Sequence, residues 1–295
     1  MNSRVTDKIA TLVFWAGASV VIIILGTIIV YLLYHGGKYI NWDFLTKPAQ
    51  VIHAGGGIGP QIFNSFYLLV LSMVFTIPIG ILGGVYLAEY ARKSKLTEAI
   101  RMSIETLSSL PSIVLGLFGL LVFVNMTGWG YSLIAGALVL TVLNLPLMVR
   151  FTEEAIRGVP GSMCEASLAL GANRWQTILR VVLPSALPGL ISGAIITSGR
   201  VFEEAAALLF TSGMSSPALD FSQWWNVSHP ASPLNPLRPA ETLAVHIWKI
   251  NTEGLIPDLR RVADGSAAVL ILVVLSFNLG ARWLGSKIQR KMTAT

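Results

Sequence analysis

Residues 165–184 read EASLALGANRWQTILRVVLP, from Glu165 to Pro184. They make a polar, charged stretch in a chain that is 54% hydrophobic and only 12% charged, with a mean hydropathy of +0.68. That composition over 295 residues describes a polytopic membrane protein rather than a soluble domain with a large core. A polar island between apolar runs calls for a reason to exist, and its local pattern gives it a shape. Ser162 and Glu165 have the spacing of a capping box, behind Pro160 and Gly161. Met163, Ala166, Ser167 and Leu170 recur at helical spacing. Gly171 suits the left-handed residue that ends a helix, and a second helical stretch, Asn173 to Val182, leads to Leu183 and Pro184. The residues alone thus predict two short helices broken at a glycine, which also describes an ordinary helix–turn–helix.

Outward from this stretch lie six apolar runs. Leu12 to Tyr34 is uncharged for 23 residues, enough to cross a hydrocarbon core of ~30 Å. Arg4 and Lys8 precede it in the manner of a signal peptide. The run is too long for one and no small-residue cleavage site follows, so a retained span is expected. The others are Ser65–Ala88, Thr106–Met126, Tyr131–Val149, Ser185–Phe210 and Gly265–Trp283. Pro78 predicts a kink in the second that neighbouring helices offset, and small residues in the third favour close packing. The expected organisation is a first span and its connection (1–64), a core of five spans (65–284) and a basic tail (285–295). The core contains the polar loop 150–184 and a proline-rich loop, 212–264. Within that loop, Pro239–Asn251 forms an amphipathic stretch with Leu243, Ile247 and Ile250 on one side. It would lie on the membrane surface, present a docking face or cover the bundle. Gly55-Gly56-Gly57 reads as a flexible turn.

Several chemistries are excluded. No G-x-x-x-x-G-K-[ST] occurs, and Gly36-Gly37-Lys38 lacks the upstream glycine, so the chain is not expected to hydrolyse ATP. The single cysteine, Cys164, rules out an intramolecular disulfide. Four scattered histidines show no metal-ligand spacing, and no nucleophile motif appears, so neither a metal site nor an enzyme is expected. The net charge of +6 reads as topology rather than nucleic-acid binding. With both termini and the Glu165 loop on one side, that side holds 14 of the Lys and Arg residues against 6 opposite. The positive-inside rule then makes it the cytoplasm.

Arg200, Glu203 and Glu204 interrupt the fifth run. On a continuous helix either glutamate would share a face with the arginine. A charge near mid-bilayer costs at least ~2.5–3.5 kcal/mol, so such groups pair or line a polar path. A structural ion pair and a transport role both fit.

The 165–184 stretch resembles the EAA loop of ABC importer permeases, at Glu165, Ala166, Ser167, Gly171, Val181, Leu183 and Pro184. Ser167 replaces the second alanine and Val181 an isoleucine. In that family the loop forms a coupling helix that docks in a groove of the ATPase subunit. Tyr86–Tyr90, Leu110–Phe118 and Glu204–Thr211 further resemble the A-type (PstA-type) permease of the phosphate-specific importer, over roughly 55–283. The resemblance implies an all-α, six-span type I importer fold, with alternating access. It implies a C-type permease partner, an ATPase dimer carrying ATP and Mg, an extracytoplasmic phosphate-binding protein, and the cytoplasmic membrane of a prokaryote. No cofactor is expected in this chain. Arg200 and Glu204 match an intramembrane arginine and glutamate implicated in phosphate passage, with Glu203 beside them. A guanidinium fork suits phosphate oxygens. The rival expectations are a permease for phosphonate, sulfate or molybdate, and an ion-driven secondary transporter. The latter more often shows inverted repeats, which are not found.

Overall fold

A computed structural model describes residues 3–50, 54–92, 94–254 and 257–293, so Lys93 of the basic count lies outside the described residues. Among them all regular structure is helical: α1 (Ser3–Gly37), α2 (Trp42–Thr46), α3 (Gly59–Val85), α4 (Lys95–Ser109), α5 (Ser112–Gly119), α6 (Leu133–Arg157), α7 (Gly161–Ala169), α8 (Arg174–Thr177), α9 (Leu183–Glu203), α10 (Ala206–Leu209), α11 (Leu243–Glu253) and α12 (Leu259–Thr293). Wider π-turns extend α3 to Tyr90 and α5 to Met126, and join α8 to α9. Five stretches are long and apolar enough to cross a membrane: Asp7–Gly37, Gly59–Tyr90, Leu133–Arg157, Arg174–Glu203 and Leu259–Ile288.

The sixth span is broken, which corrects the expected straight run Thr106–Met126. Thr106–Ser109 belong to α4, and the chain turns by 102° before Ser112–Met126. Pro111 is the cause. Its ring forces Leu110 into an extended conformation (φ −68°, ψ 136°), and it has no N–H to continue a helix.

The bundle centres on α6, which packs against α3, α5 and α9. Its closest approach is to α3, which runs unbroken past Pro78. A side chain at Gly80 would overlap Met148, and one at Gly84 would overlap Thr152. These two glycines, one turn apart, let the backbones meet as small residues do in membrane interfaces. The α3–α6 seam is apolar at Leu68, Leu69, Met73, Leu140 and Leu143. Its buried hydroxyls turn back to the helix backbone, Thr76 to the Ser72 carbonyl and Thr141 to the Ala137 carbonyl, both at 2.8 Å.

α1 stands apart. It packs against α12, and the apolar window of its span is 0% buried. A helix apolar all round and left bare by its own chain suits lipid.

A further expectation changes. The Gly55–Gly57 stretch is a tightly packed turn: only Gly55 has a positive φ (96°), while Gly57 donates to the Pro48 carbonyl at 3.0 Å and Ile58 to that of Phe44 at 2.7 Å. A Cβ at Gly57 would come within 2.6 Å of two backbone oxygens on α2 and just after it. The helix expected over 239–251 is α11, which starts later, at Leu243 behind its cap Thr242, and runs to Glu253. Leu243, Val245, His246 and Ile250 are buried against α3 and α12, so of the three readings open to this stretch the structure takes the one in which it covers the bundle. α12 continues through Lys287 and Arg290, so the basic tail is the end of the last helix.

Candidate functional site: the Glu165 loop and the polar clusters

The Glu165 loop is two helices meeting at Gly171 (φ 86°). Asn173 caps α8 by accepting from the Gln176 N–H, and the Gln176 side chain accepts from the Asn173 N–H, at 2.8 and 2.9 Å. This is the capping box of the loop. The one expected at Ser162–Glu165 does not form. Gly161 is already helical behind Pro160, so Ser162 lies inside the first turn, where its hydroxyl has no cap to make. Ser167 faces back across the turn, its hydroxyl 3.0 Å from that of Thr177.

Ile178 and Val182 are buried with Val85, Ile156, Ala186 and Leu190, and Cys164 packs against them. Leu183 also packs there, and Pro184, which has no N–H to give the preceding turn, stands just after the π-turn that joins α8 to α9. The stretch Arg174–Glu203 runs as one span, so the loop is continuous with a membrane helix. The outer side of the loop is bare: Glu165 and Ala166 are exposed, with Met163, Leu168, Trp175 and Leu170, the last at 90%. The result is a mixed surface, apolar side chains interspersed with Glu165, Asn173, Arg174 and Gln176, fixed to the bundle from beneath.

Arg200 lies in the last turn of α9, far along the helix from the loop, and its side chain is exposed. The expected continuous span to Phe210 ends at Glu203. Glu204 is extended (φ −76°, ψ 119°), and its carboxylate accepts the Ala207 N–H at 3.0 Å, capping α10. Glu204 is therefore not one helical turn beyond Arg200. Among the described residues no ion pair joins Arg200 to Glu203 or Glu204. The structure sets an exposed arginine and an exposed Glu203 at one end of α9, with Glu204 turned into the chain.

Two polar clusters escaped the sequence reading. At the loop end, Glu153 on α6 takes a two-pronged contact from Arg101 of α4, 2.6 and 3.1 Å, and a second from Arg157, 2.8 Å. Its side chain is 12% exposed. Such fork-to-carboxylate contacts are among the stronger ones. Arg157 at i+4 was visible on the helix; Arg101, far away in sequence, was not.

At the opposite end a buried network joins α3 to the residues before α11. Arg238 donates to the Asn64 side chain at 2.7 Å and to the Pro233 carbonyl at 3.0 Å. Desolvation brings its pKa down to about 10. Glu241 accepts from the Gln61 amide at 2.9 Å and lies 3.2 Å from a His246 ring nitrogen and 3.5 Å from Lys249. Burial pushes its carboxyl up, but His246, Gln61 and Lys249 together outweigh that and hold it below the usual carboxylate value. Charges embedded in a run of prolines gave no periodic signal from which to place them inside.

The described residues thus form a bundle of membrane-length helices with an exposed helix pair at one end. Residues 80–294 match the family described as binding-protein-dependent transport system inner membrane component, and the chain belongs to that family of multi-pass transport permeases. It is 56% identical to the probable ABC transporter permease protein YqgI of Bacillus subtilis, over 100% of both chains. It is 35% identical to the phosphate transport system permease protein PstA of Xylella fastidiosa, over 83% of this chain and 80% of that one. PstA 1 of Mycobacterium tuberculosis is 30% identical over 95% and 89%. In fold it is similar to a bacterial alginate ABC transporter chain (TM-score 0.66, 17% identity, 97% and 96% covered). A chain of the MetNI methionine transporter gives a TM-score of 0.57 at 21% identity, with 79% and 94% covered.

Proposed function

We propose that this chain is one of two permease subunits of an ATP-driven phosphate importer in the cytoplasmic membrane of a prokaryote. The observation that carries the coupling half of this reading is the exposed Glu165 surface, rigidly continuous with a membrane span. Glu165, Ala166, Ser167 and Gly171 form the docking turn for an ATPase dimer that holds ATP and Mg. Leu183 and Pro184 pass its displacement into α9. Both termini and this loop face the cytoplasm, in accord with the excess of basic residues there. The chain itself supplies no hydrolytic chemistry.

The phosphate half draws on the PstA relatives, at 30–35% identity over most of the chain. It also draws on Arg200, a bare guanidinium at the side of a membrane helix with no carboxylate partner among the described residues. A charge on the outer face of a span costs several kcal/mol against lipid, roughly 2.5–3.5 at mid-bilayer, unless a second subunit or water covers it. The path therefore lies between this subunit and a C-type partner, with Arg200 lowering the barrier to an oxyanion delivered by an extracytoplasmic binding protein. Glu203 moderates that charge from the same turn, and Glu204 fixes the chain behind it.

The test is ATP-driven uptake of labelled phosphate in vesicles carrying the assembled transporter, wild type against Arg200→Gln, with sulfate as competitor. Uptake that requires ATP, ignores sulfate and vanishes in the variant supports the reading. Uptake that persists in the variant makes Arg200 structural. An assembled wild type that moves sulfate, molybdate or phosphonate instead leaves the permease and replaces the substrate.

A further inference from the structure

Residues 214–237 cross the end of the bundle opposite the Glu165 loop and carry a single side chain charged at neutral pH, Asp220. Their far part is pinned to the start of two membrane-length helices. Leu133 and Ile134, which open α6, donate to the Arg238 and Pro236 carbonyls at 3.0 and 2.9 Å, and the Tyr67 hydroxyl of α3 donates to the Leu234 carbonyl at 2.8 Å. The near part is tied to the far part in turn. The Asp220 N–H donates to the Ala231 carbonyl at 2.9 Å, the Asn235 amide to that of His229 at 3.2 Å, and the Ser232 hydroxyl to that of Trp224 at 3.3 Å. Phe221 meets Phe63, early in α3, edge-on at 5.5 Å. The segment is therefore fixed in height at the level where α3 and α6 begin, which is where hydrocarbon gives way to head groups.

What the segment presents at that level is apolar and bare. Trp224 is 55% exposed and Trp225 66%, their rings edge to face at 6.3 Å, and Phe221 and Val227 are exposed beside them. Neither indole N–H has a partner among the described residues. Beneath Phe221, Phe63 shares one face of α3 with Val70 and Val74, both exposed. The patch thus continues the bare apolar flank of a span. Trp129 and Tyr131, just before α6, are exposed at the same end of the bundle.

A bare aromatic patch of this kind marks a surface that something covers. A soluble partner that docks and leaves is steered by complementary charge, and this segment offers one carboxylate. A bilayer interface needs no charge. It takes tryptophan preferentially, because an indole lays an apolar ring among methylenes and gives its N–H to water or an ester oxygen. We propose that Phe221 to Val227 is seated in the outer head-group layer of the membrane, outer following from the cytoplasmic Glu165 loop, and fixes the height of α3 and α6 in the bilayer. Asp220, whose carboxylate accepts from the Ser222 N–H and hydroxyl at 2.9 and 2.6 Å, marks the wet edge of this seat. The seat is the same whatever solute the transporter moves, so its test stands apart from that of phosphate uptake.

The experiment places the full chain with its co-purifying subunits in nanodiscs of phosphatidylcholine, plain or brominated on the acyl chains, near the glycerol in one preparation and near the methyl ends in another. The fluorescence of Trp224 and Trp225 is the difference between wild type and the Trp224→Phe/Trp225→Phe variant. This signal should fall by about half or more between plain lipid and lipid brominated near the glycerol, where interfacial tryptophan resides. It should fall less with bromine near the methyl ends, and little with aqueous iodide. The proposal is overturned if iodide quenches the signal and brominated lipid does not, which leaves the patch in water and open to a soluble partner. It is equally overturned if neither quenches, which puts the patch under another subunit. If the double variant does not assemble, a nitroxide on Ser228→Cys in a Cys164→Ser chain leaves the tryptophans in place. Its collision rate with oxygen, which dissolves in lipid, should exceed that with a water-soluble nickel chelate, and the reverse order overturns the proposal.

Discussion

The Ser167 hydroxyl meets that of Thr177 at 3.0 Å across the Gly171 turn, and so ties α7 to α8. Ser167 stands where the EAA pattern has alanine, so the departure adds a cross-turn bond to a loop otherwise held by the Asn173–Gln176 box. A half-buried hydroxyl pair of this kind contributes roughly 0.5–1.5 kcal/mol. Ser167→Ala and Thr177→Val should each loosen the loop slightly, and the double variant should cost no more than either alone. The measurement is transport-coupled ATPase rate in the assembled complex, read as a double-mutant cycle. Additive losses would show that the two hydroxyls act separately.

Glu153 makes a stronger tie. It holds Arg101 of α4 and Arg157 of its own helix, with its side chain mostly covered. Removing one partner of a charge-assisted pair at such a site costs roughly 1.5–3 kcal/mol, reduced by the half-exposed arginines. Glu153→Gln should lower the Tm of the purified protein by a few degrees, and Arg101→Ala should add little to it. A salt titration separates this pair from exposed ones: its contribution should persist at high ionic strength. If salt abolishes it, the contact is a surface pair.

Much of this molecule is legible along one dimension because lipid demands it. A span of twenty apolar residues announces itself, and five of the six did. The sixth was misread for a local reason: Leu110-Pro111 sits inside a hydrophobic run, and composition hides a 102° turn that the proline enforces. The Glu165 loop was found in outline, with Gly171 in the left-handed region as expected. Its cap was misplaced because Ser162 and Glu165 have the right spacing but Pro160 starts the helix earlier. Arg200 and Glu204 were picked out by cost, yet their pairing assumed a helix that stops at Glu203. The Arg238–Asn64 and Glu241–Gln61 contacts join residues more than 170 positions apart, and no periodicity reports such partners.

The α3–α6 seam makes a prediction about packing alone. Gly84 faces Thr152 with no room for a side chain, and Gly80 faces Met148 in the same way. Gly84→Val should force the two helices apart, breaking contacts along the most extensive interface of the bundle; overpacking of this kind typically costs about 1–3 kcal/mol. At Gly83, a residue away, a Cβ would come 3.1 Å from a Val149 methyl, a tight contact with the end of a side chain rather than the overlap with Thr152 at Gly84, so Gly83 should tolerate alanine better. The measurement is the yield of monodisperse protein and its Tm. Equal tolerance of Gly83→Ala and Gly84→Val would contradict the seam.

The Glu241 network predicts a pH dependence with a definite sign. Burial acts to raise this carboxyl from its ordinary value of 4.5, but His246, Gln61 and Lys249 bring the net shift below it. A carboxylate whose folded pKa is depressed adds stability that is fully present above the unfolded value and is lost as pH falls through the folded one. The Tm difference between wild type and Glu241→Gln should therefore be largest and constant above about pH 5. It should shrink on acidification below 4.5. Asp220, which accepts from Ser222 in an exposed loop, is lowered as well. Its partners are on a surface loop, so Asp220→Asn should change Tm far less than Glu241→Gln does. A Tm difference that instead grew as the pH fell would mean that Glu241 is raised on folding, with desolvation prevailing over its three partners.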